Sequence, residues 1–390
     1  MKFKSIATFL AGMAVMGVIT MGVSQVKDGY MSSLSRIGSR YDKIEAKLTY
    51  IDQVISGYYL YEDEIDVDQM EEMIYLGYVT GLGEPYSTYY SATEFTEVME
   101  SASGSYSGIG AYVSQNVNTG IITIANPFEG APAYQAGIQK DDVIFAVEGE
   151  EVTGMDLSVV VAKMKGEEGT SVKLTIYRPS EDAYLDFDIV RAVVNVPTVS
   201  YKMLEDQVGY IQLTEFDTVT IEQFDHAVND LMDQGAESLI FDLRDNGGGL
   251  LSSVCDILDI LLPESMLVYT EDKNGKRSEQ WADDADFVDV PMVVLINGNT
   301  ASASEIFAGA LRDYDKAEII GTTSYGKGIV QTILSLSDGS AVKLTTSEYF
   351  TPNGVAIHKI GIEPDIVVEY NNEAETDEQL QAAIKYLNEQ

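Results

Sequence analysis

Asn299-Thr300-Ala301-Ser302-Ala303-Ser304-Glu305 follows a short apolar run, Pro291-Met292-Val293-Val294-Leu295-Ile296, and a turn at Asn297-Gly298. Ile306, Phe307, Ala310 and Leu311 then recur at helical spacing. A strand, a tight turn of small residues and a helix start predict an α/β element. It gathers hydroxyls and backbone N–H groups at a helix N-terminus, where negative charge is stabilised. Two interpretations of the hydroxyls are open. Thr300, Ser302 and Ser304 can cap the helix, with Glu305 in its first turn, since Ser and Thr are preferred caps. Alternatively, one of them is a nucleophile that gives its proton to a base.

Downstream, Tyr325-Gly326-Lys327-Gly328-Ile329-Val330-Gln331 offers a lysine between two glycines. A lysine can act as that base where burial lowers its pKa enough to leave the amine neutral. Only two histidines, His226 and His358, could serve instead. His226 lies in a polar helical pattern and His358 follows a turn at Pro352-Asn353-Gly354, so both read as solvated or structural. Gln331 stands four residues after Lys327, a spacing that puts both on one face of a strand. An amide there can hold the lysine without adding charge.

Together these residues resemble the catalytic region of the C-terminal processing peptidases, also called tail-specific proteases. The resemblance implies Ser302 as nucleophile, with Thr300 in the place of the family's first serine. It implies Lys327 as general base and Gln331 as its partner, and the 25-residue separation of Ser302 and Lys327 agrees with the family's. Farther upstream, Ser238-Leu239-Ile240-Phe241-Asp242 reads as a strand that ends in Asp245-Asn246-Gly247-Gly248-Gly249. This glycine loop lacks the Lys-Ser/Thr of a P-loop. The resemblance assigns it to an oxyanion hole, with donors expected at the N–H groups of Gly248 and Ala303; Gly247 is the close competitor.

Residues 103–192 carry strand and turn signals. Gly108-Ile109-Gly110, followed at the expected distance by Ala136-Gly137-Ile138-Gln139-Lys140-Asp141-Asp142-Val143-Ile144, resembles a PDZ domain. In such a domain Gly108, Ile109 and Gly110 would present N–H groups to a terminal carboxylate while the peptide adds as a strand. Before it, residues 32–100 show apolar side chains at helical spacing, broken by Glu84-Pro85-Tyr86-Ser87. That tetrapeptide resembles the family's Asp-Pro-Tyr-Ser signature, with glutamate in place of aspartate. The family's helical part helps join subunits, so the resemblance, which runs from about residue 51 to the C-terminus, implies a homodimer through the N-terminal helices.

Composition narrows the partners. Of 390 residues, 63 are acidic and 24 basic, for a formal charge of −39. Phosphates would be repelled, which argues against nucleic acid and anionic lipid surfaces. The lone cysteine, Cys255, permits no internal disulfide and falls among apolar helix residues. Lys2 and Lys4 precede an uncharged apolar run over 6–23, about long enough to span a bilayer, so a membrane anchor or a cleaved signal peptide is expected, with the remainder outside the cytoplasm.

The expected organisation is an α/β protease core with an inserted PDZ-like domain and an N-terminal helical region. Its parts are residues 1–25 (anchor or signal), 26–102 (helical), 103–192 (PDZ), 193–370 (protease core) and 371–390 (acidic linker and helix). The resemblance implies serine endopeptidase activity on protein substrates with apolar C-terminal tails, and no cofactor or metal. Two other functions compete with it, a catalytically silent PDZ scaffold that keeps the protease fold and a hydrolase that uses His226 or His358.

Overall fold

The computed structural model describes residues 18–21, 34–283, 287–371 and 373–390. The apolar segment expected as an anchor over 6–23 lies outside these residues except for 18–21. Among the described residues, no helix is long and apolar enough to cross a membrane. The described residues divide into two compact units, one of residues 18–19, 96–283, 287–330, 347–371 and 373–390, the other of residues 20–21, 34–95 and 331–346.

The larger unit is built on a sheet of Val199–Met203, Val208–Leu213, Ser238–Asp242, Met292–Ile296, Ala317–Gly321 and Ile366–Val367, in that spatial order. The first pair is antiparallel and the rest are parallel. Alternation along each strand divides its side chains between two cores. Leu239, Phe241, Val294 and Ile296 pack with helices Thr218–Asp233, Leu251–Asp259 and Ala303–Asp313. Ile240, Val293 and Leu295 pack with Ala383 and Leu387 of helix Glu378–Asn388. Strands so covered on both faces read as continuous apolar runs, which is why 291–296 carries no period of two. Cys255 is buried in the first core, and burial pushes its thiol up to about 12.

Within the same unit, strands Ala111–Gln115, Ile122–Pro127, Val143–Val147, Ser171–Arg178 and Ala183–Val190 form a separate antiparallel sheet. Helix Leu157–Met164 contributes Val160 and Met164 to its core. The insertion is closed by its own ends, since Ser105–Gly108 pairs antiparallel with Ala192–Asn195.

The smaller unit contains helices Leu34–Tyr58 and Val67–Thr80. Its limits depart from the sequence partition, because residues 331–346 belong here and not with 193–370. The cause is pairing, Thr88–Tyr90 running antiparallel to Ala341–Lys343. Lys343 is buried in this unit with its ammonium 5.4 Å from the centroid of the Tyr90 ring. Burial pulls its pKa down to about 8, against the attraction of Glu84. Between about pH 8 and 10 the unfolded chain then holds more protons than the native one, so this side chain makes stability rise with pH over that window. At neutral pH the charge costs on the order of 3 kcal/mol. Lys343→Met is expected to raise the melting temperature at pH 7 and to flatten its rise between pH 8 and 10. Thermal melts across that range would reveal an unchanged slope if the account is wrong.

Candidate active site

The strand Met292–Ile296 delivers the chain into the turn at 297–302, and helix Ala303–Asp313 leaves it. Three hydroxyls stand on this turn and the first turn of the helix, and all three residues are buried. Thr300 Oγ1 donates to the Leu243 carbonyl at 2.8 Å and accepts from the Asn297 N–H at 2.9 Å. Ser304 Oγ donates to the Asn246 carbonyl at 3.0 Å. Both are structural ties between this turn and the loop after Ser238–Asp242. Ser302 differs, because its buried Oγ has no hydrogen-bond partner among the described residues. Its backbone sits at φ +60°, ψ −116°, a conformation that side-chain-bearing residues adopt at a cost of about 1–3 kcal/mol. Cap and nucleophile candidate therefore fall on one residue: Ser302 is the N-cap of helix Ala303–Asp313, its N–H held by Glu305 and its hydroxyl without a hydrogen-bond partner, while Thr300 and Ser304 tie the chain to the neighbouring loop.

Glu305 holds the arrangement. Its Oε2 accepts from the N–H groups of Ser302 at 2.8 Å and Lys327 at 2.9 Å. Its Oε1 accepts from the N–H of Gly326 at 2.7 Å and from Ser324 Oγ at 2.5 Å. Burial raises its carboxyl above the usual range, opposed by these donors, which favour the ionised form. From the other side, the buried Tyr349 hydroxyl lies in hydrogen-bond reach of the carbonyls of Ser302, at 3.0 Å, and Lys327. One carboxylate and one phenol thus clasp the main chain at both residues. Sequence alone offered Glu305 as a first-turn acid and gave no role to Tyr349. The available signal was a carboxylate one turn into an otherwise apolar helix.

Lys327 is 2% exposed and Gln331 is 2% exposed. The expectation that both lie on one strand face needs correction, since the strand begins at Ile329 and Lys327 stands in the segment before it. Gly326, at φ +85°, packs against the backbone of 359–361, and Gly328 packs against His358 N so closely that any Cβ would collide at 2.3 Å. That contact with a second stretch of chain holds residues 326–328 in place without strand pairing.

The glycine loop faces the serine. A Cβ on Gly248 would stand 2.9 Å from both Ala303 N and Ser302 Cβ, so only glycine fits. Phe216 pins this loop through its N–H to the Gly248 carbonyl at 3.0 Å and its carbonyl to the Leu250 N–H at 2.7 Å. The Gly248 N–H, expected as an oxyanion donor, donates to Asn246 Oδ1 at 2.8 Å. Among the described residues the N–H groups of Gly247 and Ala303 meet no acceptor.

Neither histidine is arranged for a triad. His226 packs edge-on against Tyr201, with ring centroids 6.1 Å apart. His358 Nδ1 is buried without a hydrogen-bond partner among the described residues. In the inserted domain, Ile109 is buried in the core and its carbonyl accepts from the Ala133 N–H at 2.7 Å. Gly110, at φ +76°, accepts from the Phe128 N–H at 3.0 Å. Gly108 ends the strand that pairs with Ala192. Among the described residues, no group of histidine, cysteine and acidic side chains could hold a metal ion.

The profile of peptidase family S41 matches residues 207–368, and that of the PDZ domain matches 123–178. The chain is 36% identical to the carboxyl-terminal-processing protease of Synechocystis over 292 residues, which are 74% of this chain and 68% of that one. Against the carboxy-terminal processing protease CtpA of Bacillus subtilis it is 36% identical over 338 residues, 86% and 71% of the two chains. Among solved structures, an S41 protease from Bacteroides fragilis aligns over 87% of this chain and 97% of its own, with 18% identity and a TM-score of 0.52. This protein belongs to the carboxyl-terminal processing proteases of peptidase family S41, serine proteases that here carry a PDZ domain beside an α/β core and an N-terminal helical region.

Proposed function

We propose that the chain is an endopeptidase that takes hold of protein C-terminal tails through its PDZ domain and cuts peptide bonds with a Ser302/Lys327 dyad. The observation that carries this is the contrast among the three buried hydroxyls, of which only Ser302 Oγ lacks a hydrogen-bond partner. As the substrate carbonyl is attacked, the Ser302 proton passes to the neutral Lys327 amine, the C–O bond forms and the carbonyl electrons move onto oxygen. Lys327 then returns the proton to the departing amine, and water, activated by the same lysine, releases the acyl group. The Ala303 N–H, first in its helix, supports the oxyanion together with a glycine amide of the 247–249 loop. Gly247 offers an open N–H; Gly248 would have to exchange its bond to Asn246.

Tail binding would use the N–H groups about Gly108, Ile109 and Gly110, with an apolar final side chain entering the domain core. The exposed apolar side chains Tyr50, Tyr58, Leu60 and Met73 on the helical unit support a homodimer there. The basic and apolar start of the sequence supports attachment to the cell membrane with the catalytic part outside the cytoplasm. The test is cleavage of an unfolded reporter that ends in apolar residues. The full chain in mild detergent is expected to cut it, and amidation of the reporter's terminal carboxylate is expected to raise KM at least ~10-fold, a loss of about 1.4 kcal/mol of binding. Equal cleavage of both reporters would remove tail recognition from the mechanism.

A further inference from the structure

Two neighbouring parallel strands of the larger unit, Ser238–Asp242 and Met292–Ile296, each end in a turn that carries part of the site. The ladder between them closes with the Leu243 N–H donating to the Leu295 carbonyl at 3.0 Å. Beyond it both chains leave the sheet, and strand pairing no longer fixes the distance from the glycine loop to the serine. Other bonds do this instead. On the buried side, the Asn246 carbonyl accepts from the Ala301 N–H and from Ser304 Oγ, both at 3.0 Å. On the exposed side, Asp245 Oδ1 accepts from Asn297 Nδ2 at 3.0 Å and from Asn299 Nδ2 at 2.8 Å, while the Asp245 N–H donates to Asn297 Oδ1 at 3.1 Å.

This pairing has one consistent orientation. A carboxylate only accepts, so both amides must turn their NH2 groups toward Asp245. Asn297 then presents its oxygen to the N–H groups of Asp245 and Asn299, the latter at 3.0 Å. Asn299 and then Asn297 hold the Asp245 carboxyl below the usual carboxylate range, which keeps it an acceptor at neutral pH. The main chain supplies the reason for an anchor here. Asp245 sits at φ +62°, in the left-handed region that costs a side-chain-bearing residue free energy, and Asn246 and three glycines follow at once. That reversal sets the direction in which 246–249 leave the sheet, and the glycines have no side chains with which to hold it. The bonds to Asn297 and Asn299 tie the reversal to the turn that leads into Ser302.

We infer that Asp245, bonded to Asn297 and Asn299, is a positioning residue that sets the spacing between the oxyanion donors of the glycine loop and Ser302. This rests on the reading in which Ser302 is the nucleophile and a glycine amide of 247–249 supports the oxyanion. Both sides of the oxyanion hole then depend on one latch, because the Ala303 N–H moves with the 297–302 turn and the glycine amide moves with Asp245. Without the latch, the buried ties at Asn246 hold the loop alone, and the two donors lose their register on the oxygen they share. Tail binding is assigned to the inserted domain, so the loss falls on kcat and on ligands that place an oxygen between the donors.

The test uses the full chain and the tail reporter, together with a peptide aldehyde ending in an apolar residue, whose hemiacetal with Ser302 places its oxygen where the oxyanion forms. Asp245→Gly keeps the left-handed backbone accessible and removes only the latch. It is expected to lower kcat about 10-fold, to leave KM within about 2-fold and to raise the aldehyde Ki about 10-fold. Asp245→Asn keeps an accepting oxygen and tolerates the same φ, so its kcat and Ki should stay within about 3-fold of wild type. Asn299→Ala leaves Asn297 in place and should lower kcat about 3-fold, with no further loss when added to Asp245→Gly. Wild-type kcat and Ki in Asp245→Gly, a loss in Asp245→Asn equal to that in Asp245→Gly, or a fall in kcat without a rise in Ki would each overturn the latch. Failure of the underlying reading looks different. Cleavage that survives Ser302→Ala, or an aldehyde that leaves the wild type uninhibited, sinks the nucleophile and its oxyanion hole, and the latch with them.

Discussion

Ser302→Ala and Lys327→Met are each expected to lower kcat on the tail reporter by about 10⁴-fold or more while leaving KM nearly unchanged, because members of one covalent mechanism fail together. The double variant should be no worse than either single one. Lys327→Arg should not restore activity, since a guanidinium stays protonated and cannot accept the serine proton. Stability should move the other way. Ser302→Ala removes a buried hydroxyl that has no partner. The Ser302→Ala variant should therefore melt at or above the wild-type temperature, the usual sign that a site is held for function at the expense of stability. Retained cleavage in either variant would exclude the dyad. Lost cleavage with a lower melting temperature would leave misfolding as the cause.

The sequence disclosed what repeats or what is local. The strand Ser238–Asp242 and the helix that starts at Ala303 are found where the pattern put them, because period and turn signals are written in neighbouring residues. The apolar run at 291–296 revealed a buried strand but not that Val293 and Val294 face different cores, a distinction that depends on which helices cover each face. Residue type could not separate Ser302 from Thr300 and Ser304 either. What separates them is that Leu243 and Asn246, on another strand's loop, take up the neighbouring hydroxyls. Tyr349 lies 47 residues from the serine whose carbonyl it meets, and Glu84 lies 261 residues from Thr345, whose hydroxyl donates to it. Such pairs are made by the closing of the fold and leave no local trace. The misplacement of Lys327 on a strand has the same origin, since the contact of Gly326 and Gly328 with residues 358–361 holds the segment out of the ladder.

Glu305→Gln carries the second large expected effect, and it separates the geometry of the site from its chemistry. The carboxylate satisfies four buried donors, three of them backbone N–H groups of Ser302, Gly326 and Lys327 and one the hydroxyl of Ser324. An amide has one oxygen, and its NH2 would face donors where the second oxygen stood. Two of the four bonds are then lost, and each buried donor left unmade costs about 1–3 kcal/mol. A destabilisation of about 2–6 kcal/mol is expected in urea unfolding, a large share of the 5–15 kcal/mol typical of a domain. The Ser302 and Lys327 backbones also lose their shared anchor, with Tyr349 left as the remaining clasp. A displacement of about 1 Å in a reacting group can cost about 10²-fold in rate, so kcat should fall by that order even under conditions where the variant is fully folded. KM should change little, because tail binding is assigned to the inserted domain. Glu305→Asp keeps the charge but is one methylene shorter, and should lose as much activity as Glu305→Gln while losing less stability. If Glu305→Gln kept both its urea midpoint and its kcat, the carboxylate would be a plain helix cap, and the alignment of Ser302 with Lys327 would have to come from Tyr349 and the glycine contacts alone.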